Sequence, residues 1–250
     1  ANVELIGSSE MNGTAMFLIQ AADVTKTYRT GDVSSCALRG VTLDVAEGDF
    51  LALVGPSGSG KTTFLNVVGA LDRPTSGDIT VFGEDIARLK KAARADLRLK
   101  RIGFVFQAFN LVPVLTAREN VEFVLELQGM GSERSERART VLEQLGLSEF
   151  GDRRPNELSG GQQQRVAVAR AVASRPRLVL ADEPTANLDG DNAEILIEMM
   201  RTLNREEGIT FVFSTHDQRV VRHAERIVTL EDGLVSRDER QSTDSARASL

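Results

Sequence analysis

The chain has 250 residues, 41% of them apolar, a formal net charge of −6 and a single cysteine, Cys36. That length suits one large α/β domain or a core with a subdomain, and the negative balance argues against a general nucleic-acid binder. One cysteine excludes an internal disulfide and fits a reducing cytosol, and no run approaches the ~18 apolar residues of a membrane span, so any membrane role must come through a partner.

Residues 1–16 are small and polar, without a basic region leading into an apolar one, and are expected to be a disordered extension rather than a signal peptide. Met16 followed by Phe17-Leu18-Ile19 is the more natural beginning of the fold. Phe17 to Tyr28 and Ala37 to Val45 are predicted strands separated by a polar Gly31-Asp32 turn, and Glu47-Gly48-Asp49 turns the chain into the apolar strand Phe50-Leu51-Ala52-Leu53-Val54. Next comes Gly55-Pro56-Ser57-Gly58-Ser59-Gly60-Lys61-Thr62, which satisfies the phosphate-binding pattern G-x-x-x-x-G-K-[ST] at every fixed position. Phe64, Leu65, Val68 and Leu71 then recur at helical spacing. The glycines let successive backbone amides and the helix start face an anion, Lys61 reaches for the β- and γ-phosphates of a nucleotide, and Thr62 for magnesium. A Gly/Ser-rich turn that binds nothing is the competing reading, and the strand and helix on either side count against it. Pro74 to Gly77 is a turn, and Ile79-Thr80-Val81 a short strand.

From about 85 to 158 the composition predicts a mostly helical insertion. Ile86, Leu89, Ala93 and Leu97 mark one stripe of a helix whose other faces carry Arg88, Lys90, Lys91, Arg94, Arg98, Lys100 and Arg101, read as a solvated face in preference to a phospholipid-facing one. Thr116-Ala117-Arg118-Glu119 is a capping box, and Ser132 is expected to open a helix that stops at Gly146. Strands follow at Arg177 to Asp182 and Ile209 to Ser214, with a helix from about Asn192 to Glu206 between them. This alternation implies a parallel sheet. Asp232-Gly233 is a hairpin signal between Ile227–Leu230 and Leu234–Ser236, and a mobile tail is expected from about Arg240. No internal repeat is present, so the chain carries one nucleotide cassette.

Two further stretches carry chemistry. Asp182 and Glu183 end an apolar strand as adjacent carboxylates with different expected roles: Asp182 would hold magnesium through its water shell, and Glu183 would accept a proton from attacking water. Leu158-Ser159-Gly160-Gly161-Gln162 opens a helix, and Ser159 with Gln162 fits a capping box. Capping explains the serine but not two glycines, which expose amides for a second phosphate contact. Since residues 55–62 already form a complete cradle, that face is expected to meet another chain's nucleotide.

On these residues the sequence resembles the ATP-binding subunits of ABC transporters from about Phe17 to Asp238. The resemblance implies an α/β P-loop NTPase fold with a mostly parallel core sheet, an antiparallel β subdomain and a helical subdomain, in one domain over 17–239. It implies ATP and Mg2+ as ligands, with Gly55, Ser57, Gly58, Ser59, Gly60, Lys61, Thr62 and Thr63 around the phosphates, Tyr28 stacked on adenine, and Thr62, Gln107 and Asp182 at the metal. Glu183, His216 and Gln107 take the catalytic positions, while Ser159, Gly160, Gly161, Gln162 and Asp189 contribute from a second copy of the chain. The text from Ile102 to Pro113 and from Leu115 to Val121 is similar to the MacB, LolD and FtsE group. Such subunits lie peripherally on the cytoplasmic face of the inner membrane and drive a separate transmembrane permease, with no nucleic acid involved. Phe109, Leu111, Val112, Val114 and Leu115 would then edge a docking groove. Two other classes stay open: a soluble ABC ATPase acting on ribosomes or DNA, and a nucleotide-dependent scaffold.

Overall fold

The computed structural model describes residues 17–31 and 33–241. Strands β1 (Phe17–Thr30) and β2 (Val33–Ala46) form a long antiparallel hairpin, joined through β1 by β4 (Ser76–Val81) and β5 (Glu84–Asp85) into a four-stranded sheet of order β2-β1-β4-β5. The second sheet contains β3 (Phe50–Val54), β6 (Ile102–Val105), β7 (Leu178–Asp182), β8 (Thr210–Ser214), β9 (Arg226–Glu231) and β10 (Leu234–Arg240), in the order β10-β9-β3-β8-β7-β6. Every pairing in it is parallel except that of the terminal β9–β10 hairpin.

Parallel strands buried on both faces read as continuous apolar runs, and their side chains alternate between the two sides. Phe50, Phe211, Phe213, Val179 and Ala181 face one core, while Leu51, Leu53, Val212, Leu178 and Leu180 face the other. The first core is closed by α3 (Ala117–Leu127), α4 (Arg134–Gln144), α5 (Gly160–Val172) and α6 (Gly190–Glu207). The second holds α1 (Lys61–Val68) between the core sheet and the antiparallel sheet. Helices α2 (Lys91–Arg101) and α7 (Gln218–His223) complete the chain.

Both sequence-read capping boxes form, at Thr116/Glu119 and Ser159/Gln162. Elsewhere the boundaries differ from the sequence expectation. The stretch 85–158 is interrupted by β6, which pairs with β7 as the edge of the core sheet, because Ile102 and Val105 are buried against it. Helix α2 starts only at Lys91, so Ile86 and Leu89 precede it; Ile86 nevertheless packs into the second core, its amide bonded to the Ile79 carbonyl. Helix α4 begins after Glu133 without a side-chain cap, so Ser132 does not open it. Strand β10 runs through Arg240, which reaches Asp49 at 3.1 Å. The expected extension at 1–16 and the remainder of the tail from residue 242 lie outside the described residues.

Among the described residues no helix is long and apolar enough to cross a membrane. On and before α2, Lys100 pairs with Asp96, Arg88 with Asp85 and Arg101 with Glu84, as a solvated helix face does.

Candidate active site

Four parallel strands end at the same edge of the core sheet, and the carboxyl ends of such strands are where α/β folds bind ligands. Strand β3 runs into the Gly55–Thr62 loop, β6 into Gln107, β7 into Glu183 and β8 into His216. A cleft of about 760 Å³ opens there, and Tyr28, Gly55, Ser57, Gly58, Gly60, Lys61, Thr62, Thr63, Gln107, Glu183 and His216 line it. Ala37, Pro56 and Ser214 also line it. Pro56 is a free position of the loop pattern, and Ser214 reaches the cleft only because β8 lies between β3 and β7.

The loop is shaped for a close approach by backbone. Gly55 has φ 145°, and a Cβ there would collide with the Leu230 carbonyl oxygen. Gly60 has φ 104° and caps α1 with no side-chain hydrogen bond, and no acidic residue stands in the helix's first turn. The first amides of α1 therefore keep their donors for an anion, with the positive end of the helix dipole behind them. Lys61 is 8% exposed, and its Nζ donates to the carbonyls of Gly55 at 2.8 Å and Pro56 at 3.0 Å, which holds the cation inside the loop. Ser59 is buried beneath the loop, its hydroxyl 2.9 Å from where a Gly55 Cβ would stand.

Asp182 stands beside the cleft. The Thr62 hydroxyl donates to Asp182 Oδ1 at 3.0 Å and is 3.1 Å from Oδ2. One hydroxyl and one carboxylate side by side form an oxygen donor set of the kind magnesium takes when most of its shell comes from phosphate and water. Gln107 lies across the cleft, its carbonyl accepting from the Asn187 side chain at 2.7 Å.

Glu183 is held in the left-handed region at φ 48°, an uncommon conformation for a residue with a side chain and one that concentrates at functional sites. Its amide donates to the Ser214 carbonyl at 2.8 Å. One carboxylate oxygen lies 2.9 Å from His216 Nδ1, and the other is buried with no hydrogen-bond partner, so it keeps an open acceptor. The two loops are fastened together behind the pair. The Thr185 hydroxyl donates to Asp217 at 2.7 Å, and Arg219 grips the same carboxylate through Nε and Nη2 at 2.8–3.0 Å. Burial works to raise the Asp217 carboxyl, but the hydrogen bonds from Arg219 and Thr185 outweigh it and hold the group at about 2. This brace was not found in the sequence, where Thr185 lies two residues after Glu183 and Asp217 follows His216 with no further signal.

The remaining candidates do not join the cleft. Ser159 accepts from the Gln162 amide at 3.2 Å while Gln162 accepts from the Ser159 amide at 2.9 Å, so the two cap α5. A Cβ at Gly160 would stand 3.7 Å from the Asn187 carbonyl, and one at Gly161 2.9 Å from Asn192 Oδ1. Asp189 caps α6 through the Asn192 amide at 2.9 Å, and that hydrogen bond, with a second from the Asn192 side chain, holds its carboxyl below the usual range. The starts of α5 and α6 thus form one surface, outside the cleft that their own chain offers. Of the apolar residues read as a groove edge, Val114 is 71% exposed, while Phe109, Leu111, Val112 and Leu115 are half-buried.

A family model described as ABC transporter matches residues 38–186. The macrolide export ATP-binding/permease protein MacB of Syntrophobacter fumaroxidans is 49% identical over 223 residues, which make up 88% of this chain and 31% of that protein, so the chain spans about a third of that relative's length. An uncharacterized ABC transporter ATP-binding protein of Methanocaldococcus jannaschii, MJ0796, is 46% identical over 228 residues, 89% of this chain and 97% of that protein. A solved dimeric structure of a post-hydrolysis state of the ATP-binding cassette MJ0796, bound to ADP and Pi, shares the fold with a TM-score of 0.83 at 45% identity, covering 89% of this chain and 98% of that one. Similarity that runs through most of this chain and nearly the whole of a relative shows that the chain belongs to the ABC transporter ATPase family.

Proposed function

We propose that the chain closes head-to-tail with a second copy around two ATP molecules, and that hydrolysis reopens the pair to drive a separate transmembrane subunit of the MacB, LolD and FtsE type. The observation that carries this reading is the separation of the double-glycine start of α5 from the cleft of its own chain. Two helix amides without a use in their own subunit make sense against a partner's γ-phosphate. The solved relative is dimeric and bound to ADP and Pi, which supports the pairing of two copies.

Within one cleft, Lys61 and the loop amides from Gly58 to Thr63 would bind the phosphates, and the exposed Tyr28 ring would stack on the base. Thr62, Asp182 and Gln107 would hold Mg2+, which neutralises charge on the β- and γ-phosphate oxygens when bound. Glu183, which lines the cleft, takes a proton from the attacking water, and His216, 2.9 Å from one of its oxygens, orients the carboxylate while facing the γ-phosphate. Asp189, capping α6, places that helix beside the Ser159–Gln162 surface where the second copy would press. Peripheral attachment at the cytoplasmic face of the inner membrane would come through the exposed Val114 and its half-buried neighbours, and the name of the MacB relative, ATP-binding/permease protein, supports such a partner.

Glu183→Gln tests the reading, since the amide keeps the shape and loses the proton acceptor. Turnover is expected to fall ~10²–10⁴-fold while ATP binding persists, and ATP should trap a dimer on a sizing column. Near-normal hydrolysis in that variant would place the base elsewhere.

A further inference from the structure

We infer that Lys26 and Asp72 form a bracket that presents the Tyr28 ring to the nucleotide base at a set distance from the phosphate loop; the inference rests on the nucleotide reading above and goes beyond it in assigning two positioning residues.

Lys26 and Tyr28 are two residues apart on β1, so their side chains leave the same face. The Lys26 ammonium lies 4.9 Å from the centre of the Tyr28 ring. It also donates to Asp72 Oδ1 at 2.7 Å and to the Arg73 carbonyl at 2.8 Å, and its side chain is only 12% exposed. Asp72 in turn follows α1, its amide bonded to the Asn66 carbonyl at 3.1 Å. Ring, ammonium, carboxylate and the end of the phosphate-loop helix are therefore one connected chain of contacts. Burial raises the Tyr28 hydroxyl, Asp72 adds to the rise and Thr63 opposes it.

The bracket is not needed to attach β1 to this segment. Thr25 meets Ser76 at 2.7 Å, the Thr75 amide donates to the Thr25 carbonyl at 2.8 Å, and the Thr27 amide donates to the Thr75 hydroxyl at 2.9 Å. What the ammonium adds is a cation over the aromatic ring of a residue that is itself 40% exposed and lines the cleft. A cation on one face leaves the other for a base and draws electron density from the ring, which favours stacking on an electron-rich purine.

The experiment measures equilibrium binding of ATP and of inorganic tripolyphosphate, which lacks a base, to the full chain. Lys26→Met keeps the stem and removes the charge, and is expected to weaken ATP binding about three- to tenfold while leaving tripolyphosphate affinity unaltered. In turnover the loss should fall on KM rather than kcat. Lys26→Arg, which keeps a cation over the ring, should restore most of the affinity, and Lys26→Met should add nothing in a Tyr28→Ala background. An equal loss for tripolyphosphate, or an undiminished effect without the Tyr28 ring, would show a general structural role and overturn the inference. Unchanged ATP affinity in Lys26→Met would overturn it as well. Failure of the unaltered chain to bind ATP would overturn the nucleotide reading together with it, which separates the two failures.

Discussion

Lys61 spends its positive charge on two carbonyls of its own loop, so its removal tests the loop as a phosphate cradle without disturbing a core side chain. Lys61→Ala deletes a charge-assisted contact worth about 1.5–3 kcal/mol, and titration calorimetry with ATP and magnesium should show affinity about 10- to 150-fold weaker. Unchanged affinity would remove residues 55–62 from the site. Asp217 offers a test by pH. Its carboxyl is held at about 2 in the fold, below the ordinary aspartate value near ~3.9, so the unfolded chain binds the proton more readily. The stability it contributes is fully present above about pH 4 and is lost as pH falls through about 2. Denaturant unfolding of the chain and of Asp217→Asn should give curves that converge toward the acid end of that window. Curves that stay parallel would exclude Asp217 as the titrating group. Residues of this kind were only half legible in advance: Lys61 is specified by a local pattern, whereas the value of Asp217 depends on Arg219 and Thr185 meeting it in space.

At the level of elements, four helix starts take similar sequences to different ends. In helices α3, α5 and α6 one first-turn amide is capped, by Thr116, Ser159 and Asp189, while α1 begins at a left-handed glycine with no side-chain cap. The sequence shows the caps at Thr116 and Ser159, because a cap is a contact across three residues, but not the one at Asp189. It does not show how the segment before α3 is held. Asn120, buried on α3, accepts from the Val112 amide at 2.8 Å and donates toward the Val112, Leu115 and Thr116 carbonyls at 2.9–3.2 Å. This one amide side chain shapes the 112–116 turn and so sets how Val114 is displayed. Asn120→Ala takes the acceptor from the half-buried Val112 amide and leaves a gap at a buried position, and should cost about 1–3 kcal/mol of stability by chemical denaturation. A loss below about 0.5 kcal/mol, the size of an ordinary surface substitution, would show that the turn holds by other means.

The whole molecule is divided into a cleft and a separate surface at the starts of α5 and α6, and a pair of chains related head-to-tail would bring one to the other. Ser57 is exposed at the loop, and Gly160 has room for a side chain, with only the Asn187 carbonyl at 3.7 Å. Cysteines at these two positions, in a Cys36→Ser and Glu183→Gln background, should form a bond between chains that depends on ATP. Crosslinking confined to single chains, or independent of ATP, would sink the head-to-tail pair.

Local chemistry along the chain was enough to determine the alternation of strand and helix, the phosphate loop, the acidic end of β7, both capping boxes and the β9–β10 hairpin, because each is written within a few residues by periodicity, caps and turn propensity. Beyond the groupings that the family resemblance implies, the tertiary structure decided which of these meet. It placed β6 in the core sheet within an otherwise helical stretch, and it brought Thr62 to Asp182, Glu183 to His216 and Lys26 to Asp72. Strand order and the burial of two separate faces set those meetings, and no local preference encodes a partner 120 residues away.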